Sequence, residues 1–98
     1  MLVKIIKAYR DTIAICDSDL LGKKLEEGKF QLDIKESFFG GDEISEEKLI
    51  EIMKKMSEED ATFNIVGEKS IKIALKAGII SQEGIKKIRG IPFALILL

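Results

Sequence analysis

The chain has 98 residues, 46% of them hydrophobic and 34% charged, with a formal net charge of -1, one cysteine and no histidine. That length supports one domain around one core, and the apolar share excludes a disordered chain. The missing histidine removes Ser-His, Cys-His and HExxH chemistries, and Cys16 has no partner for an internal disulfide.

The N-terminal stretch "MLVKIIKAYR" interrupts its apolar residues with lysines, so no export signal is expected and the expected location is cytoplasmic. "LVKIIKAY" and "TIAIC" are rich in β-branched residues and read as a hairpin turning at Arg10 and Asp11. "DSDLLGKKLEEGKF" reads as a structured connector, with Asp17 placed to cap one helical turn and Gly22 and Gly28 as punctuation. In "KFQLDIKESFF" the apolar row Phe30, Leu32, Ile34 and Phe38 has period two, predicting a strand that Gly40 and Gly41 end. Glu36 breaks that row, so the strand is expected to end or bulge before it and release its carboxylate to solvent.

Ser45 is placed to cap a helix running to about Met56, with Ile44 and Leu49 as a hydrophobic staple. Leu49, Ile50, Ile52, Met53 and Met56 share one broad arc, so this helix is expected to lie on a sheet. "ATFNIVG" is a short strand feeding a second helix in "EKSIKIALKAG", which Gly78 terminates. "GIKKI" and "PFALILL" predict a last hairpin, and the apolar end of the chain is far short of the roughly 20 residues of a membrane helix. The last strand, apolar on both faces, is expected to be central. The predicted fold is a single α+β domain over residues 1–98, with a mixed sheet of five or six strands and two main helices on one side.

Charge is unevenly spread along the chain. Residues 36 to 66 sum to about -6 and residues 67 to 98 to about +4. The richness in Lys, Glu and Ile with very little Asn, Gln, Cys or His suits a heat-adapted source.

Three places are candidates for chemistry. At "NIVGEKS" the helix start could hold an anion, Gly67 permitting close approach, with Lys69, Lys72 and Lys76 along one side of the helix for RNA phosphates. The bland reading of those lysines is a solvated face. Phe39, if alternation persists, points outward beside Lys35 and could stack on a base; its alternative is burial under Ile44 and the first helix. Glu36, Cys16 and Asp17 form a possible polar site, although Asp17 would raise rather than lower the pKa of Cys16, and a buried structural cysteine is the favoured reading. No catalytic residue or metal ligand is assigned, and no cofactor is expected, since GxxxxGK[ST] and GxGxxG are both absent.

The stretches "CDSDLLGKKLEEGKFQLDIKESFFGG", "NIVGEKSIKIALKAGII" and "GIPFALI" resemble the small archaeal family catalogued as domain of unknown function 424. The resemblance spans nearly the whole chain and implies an archaeal cytoplasmic protein, without bringing an activity. In that family polar residues can follow the proline near the C-terminus, whereas Phe93 and Leu95 stand there in this chain.

The first functional expectation is a non-enzymatic accessory protein that binds RNA or a ribonucleoprotein through Lys69, Lys72, Lys76 and Phe39. The alternative is a protein-interaction module, a homodimer or a subunit of a larger complex, using an apolar patch near Phe38 to Ile44 or an exposed edge strand. A small enzyme is the least supported reading, because no acid and base pair can be placed together.

Overall fold

The computed structural model describes residues 1–96. Strands β1 (Leu2–Ile6) and β2 (Thr12–Cys16) form the expected antiparallel hairpin. After a 3-10 turn at Ser18–Leu20 come β3 (Lys24–Glu27), β4 (Phe30–Asp33), the one-turn helix α1 (Glu36–Phe39) and the two-residue strand β5 (Asp42–Glu43). Helix α2 (Glu46–Glu58), β6 (Thr62–Val66), α3 (Glu68–Ala77), β7 (Lys86–Ile88) and β8 (Ile91–Ile96) complete the order. Leu97 and Leu98, the end of the apolar run assigned to the last strand, lie outside the described residues.

Six strands make one mixed sheet in the order β5-β1-β2-β6-β8-β7, and β3 with β4 make a separate two-stranded ribbon. The fold is therefore α+β, as the element pattern implied. β2 and β6 run parallel, which demands a long crossover, and α2 lies within it. The other ladders of the main sheet are antiparallel. The last strand sits between β6 and β7, an interior position that matches its apolar character.

One face of the sheet carries the two long helices. Ile13 and Ile15 of β2 and Phe63 and Ile65 of β6 meet Leu49 and Met53 of α2 and Ile71 and Ala74 of α3. The Ser45 hydroxyl accepts the Lys48 N–H at 3.2 Å and Gly78 adopts the left-handed conformation at φ 78°, so both helix boundaries follow their expected chemistry. Phe63 is fully buried, and truncating such a ring typically costs about 3–5 kcal/mol.

The opposite face has its own cluster of Ala14, Cys16, Leu20, Ile34, Phe39 and Val66. Here the strand ends before Glu36, as the break in its apolar row implied, and does not run on to Gly40. β4 stops at Asp33, and the Phe39 and Gly40 N–H groups donate to the Lys35 and Glu36 carbonyls to close a helical turn. A continuing strand would have sent the two adjacent phenylalanines to opposite faces. The turn instead sets both rings against the same face, edge to face at 5.0 Å. Phe39 is thus buried, only 4% exposed, and is not the outward, base-stacking ring; it packs on the face away from α2. Glu36 reaches solvent, and Phe38 to Ile44 is a half-buried bend with two exposed acids, not an apolar patch. Gly41 is required by packing, since a Cβ there would come within 1.9 Å of the Val3 carbonyl oxygen.

The connector is corrected as well. Its second half is the β3–β4 hairpin, turning through Gly28 at φ 61° and Lys29, with Leu25 opposite Leu32. Only those two leucines of the ribbon are half-buried; Phe30 is 76% exposed.

Candidate functional site

Gly67 and the start of α3 are closed from within. Asp17, buried, accepts the Ser70 N–H at 2.8 Å, the Ser70 hydroxyl at 2.7 Å and the Lys69 N–H at 3.1 Å. An internal carboxylate therefore takes the place expected for an external anion. Asp17 does not cap its own 3-10 turn. Gly67 has φ 114°, and a Cβ there would lie 2.3 Å from the Asp17 carboxyl carbon, so glycine is needed to admit the cap.

Cys16, adjacent in sequence, points into the second core cluster. Burial, reinforced by the Asp17 charge, pushes its thiol up to about 11. Glu36 is exposed on α1. The three residues of the possible polar site thus occupy three environments: Cys16 in the core, Asp17 under α3 and Glu36 in solvent. Among the described residues no group of three or more His, Cys, Asp or Glu is placed to hold a metal ion.

Lys69, Lys72 and Lys76 are exposed along one side of α3, where with Met1 and Glu46 they border a shallow cleft of about 260 Å³. Lys72 also borders a cleft of about 250 Å³ between α3 and β7, shared with Lys87 and Glu68. Lys76 donates to Glu46 at 2.9 Å, and that contact, with the Glu46 and Glu47 charges, holds its pKa above the usual lysine value. α2, with four glutamates and three lysines, packs beside basic α3, and the Lys76–Glu46 pair joins the two helices.

A larger concavity, about 450 Å³, lies on the other side of the molecule. It is lined by Phe30, Gln31 and Leu32 of β4, Lys86, Lys87 and Ile88 of β7, and by Glu27 and Phe93. Side chains alternate across a strand, so a hollow bordered by three consecutive residues of two strands runs along their backbone edges. Both strands are paired on one side only, β7 to β8 and β4 to β3. The hairpin is pinned at one end by the Glu27 carboxylate, which accepts the Arg89 N–H at 2.8 Å. Leu95, two residues beyond Phe93 on β8, is 60% exposed and borders a separate hollow with Ile79, Ile80 and Ile96.

The groove contains none of the candidate site residues read from the sequence, namely Gly67, Lys69, Lys72, Lys76, Phe39, Glu36, Cys16 and Asp17. Its hairpin was legible in one signal: Gly28-Lys29 is a two-residue turn, with glycine first, between Leu25 and Leu32. The exposure of Phe30 had no local signal, because it sits in phase with half-buried Leu32 and, beyond the strand, buried Ile34.

The chain matches the family model described as "Protein of unknown function (DUF424)" over residues 7–98, and it belongs to that family. A crystal structure of an uncharacterized conserved protein from Methanopyrus kandleri is similar, with a TM-score of 0.83 and 25% sequence identity over 97% of this chain and 88% of that one. No curated protein matches the chain.

Proposed function

We propose that this DUF424 protein is a protein-interaction module, and that its partner seats in the groove between β4 and β7. The observation that carries this reading is Phe30, a phenylalanine 76% exposed at the wall of a concavity of about 450 Å³. A single exposed ring is unremarkable, but Phe30 borders one hollow with Phe93, Leu32 and Ile88. Apolar surface of this kind is characteristic of association sites. Removing Phe30 and Phe93 from water on binding would contribute several kcal/mol before the cost of association, at about 25 cal/mol per Å². The Lys, Glu and Ile content and the Methanopyrus neighbour support a heat-adapted archaeal cytoplasm as the setting.

The test is photo-crosslinking in lysate of the source organism, with a photoreactive phenylalanine analogue at position 30 or, as control, at the fully exposed Tyr9. The expected result is a discrete protein adduct from position 30 that Phe93→Ser abolishes. Equal, diffuse labelling from both positions would refute the reading.

A second reading rests on the α3 lysines: Lys69 and Lys72 make no ion pair among the described residues and stand exposed beside Lys76. This surface would give weak RNA binding independent of base sequence. With three phosphate contacts, log affinity should fall against log salt with a slope of about -2. A salt-independent affinity, or none at low salt, would remove it.

A further inference from the structure

We infer that the β3–β4 ribbon is a latched flap over the groove: its tip is held by the Glu27–Arg89 contact, and release of that contact swings the ribbon away from β7 about its base at Gly22 and Ile34. This concerns access to the groove and holds whatever occupies it.

The hydrogen bonding sets the ribbon apart. β3 and β4 pair with each other and with no strand of the main sheet, although both pass within 8 Å of β7. At the base, the Gly22 N–H donates to the Ile34 carbonyl at 2.8 Å and the Ile34 N–H to the Lys23 carbonyl at 2.9 Å. Ile34 is fully buried in the second core cluster, so that end is fixed. Beyond it Leu25 and Leu32 are half-buried, and the other residues of both strands are exposed. Among the described residues, one hydrogen bond joins residues 24–33 to the rest of the chain, from the Arg89 N–H to the Glu27 carboxylate at 2.8 Å. A two-stranded ribbon held in this way belongs to the low-stability end of a fold.

The latch sits at a strained turn. Ile88 pairs with Ile91, so Arg89 and Gly90 form a two-residue turn with φ of 53° and 78°. Such turns favour Asn, Asp or Gly at their first position, and a side chain as large as arginine resists positive φ there. The Arg89 N–H lies beyond the last ladder pair and is taken up by Glu27.

What the flap covers is apolar. Lys86 lies opposite Phe93 and Ile88 opposite Ile91, and both partners pack on the second cluster, so Ile88 shares the face turned to the ribbon. β7 has three residues and ends its sheet, yet Ile88 is only 3% exposed, because the ribbon lies over it. Lifting the ribbon uncovers Ile88, the Leu25–Leu32 pair and the hidden part of Phe93. A closed flap lowers the affinity of any occupant in proportion to the fraction of molecules that are open. Glu27 thereby sets how available the groove is.

The test is thiol labelling. Cys16→Ala removes the chain's one cysteine. In that background Ile88→Cys should react with a maleimide when the ribbon lifts, whereas Ala74→Cys, at a fully buried position of α3, should react only when the whole fold opens. Position 88 should label about tenfold faster than position 74 or more, with a weaker dependence on urea, because a local opening exposes little surface. Glu27→Ala should speed labelling at 88 by about fivefold to tenfold, the usual effect of losing an exposed hydrogen bond to a carboxylate, and leave 74 unchanged. Glu27→Gln, whose amide oxygen can accept the Arg89 N–H, should restore most of the protection. Equal rates at 88 and 74, or a Glu27→Ala rate no faster than its parent, would overturn the flap. Either result leaves the groove as an interaction surface untouched, since the crosslink from position 30 tests that separately.

Discussion

Asp17 holds three donors at the start of α3, and Gly67 is the space that lets it do so. Asp17→Ala removes the cap and strands the buried Ser70 hydroxyl, so thermal unfolding should show a loss of about 2–4 kcal/mol. Gly67→Ala should cost a similar amount, through steric overlap with the carboxylate and a positive φ that alanine resists. The double variant should lose less than the sum, since without the carboxylate the overlap is gone and only the backbone term remains. Full additivity would show that the two residues act independently.

Cys16 gives a signature with a definite sign. Its thiol is raised from 9.0 to about 11, so the folded state keeps a proton that the unfolded state gives up. The contribution is fully present below pH 9 and lost as pH rises through about 11. Wild type should therefore lose stability over that window more steeply than Cys16→Ala. Parallel curves for the two proteins would contradict the burial argument.

At the scale of elements, β2 and β6 are buried on both faces whereas the β3–β4 ribbon is nearly all exposed. Amide hydrogen exchange should be slowest in β2 and β6 and fastest in residues 24 to 33 among the strands. Phe30→Ser should change folding stability by no more than about 0.5 kcal/mol, the usual range for exposed positions. Phe63→Ala should cost about 3–5 kcal/mol. A large stability loss from Phe30→Ser would make that ring part of the core and remove it from the site.

The elements that were legible are those whose local chemistry and burial agree. The Ser45 cap, the arc from Leu49 to Met56, the strand-to-helix turn at Gly67 and both main-sheet hairpins could be read from residue type and spacing alone. In residues 30 to 39 the break at Glu36 was legible, but the helical turn that follows it, with both phenylalanines on one face, was not. What ended the strand was tertiary: Ile34 and Phe39 bury against Ala14 and Cys16, contacts that no local window contains. The site was less legible than the fold for the same reason. Lys69, Lys72 and Lys76 could be placed on one helix side, but the proximity of Glu46, 30 residues from Lys76 in sequence, is a product of packing.

Over the whole molecule, the basic helix α3 is tied at Lys76 to the first turn of α2. The two long helices share one layer on the sheet. The distinct side of the molecule is instead the one with the hairpin, where an apolar hollow with lysines on its rim lies between two unpaired strand edges. Carbene footprinting of the chain, alone and in source lysate, tests this placement most directly. The account predicts protection at Phe30, Phe93 and Lys86 with Tyr9 unchanged. Protection confined to Lys69, Lys72 and Lys76, or none at all, would contradict it.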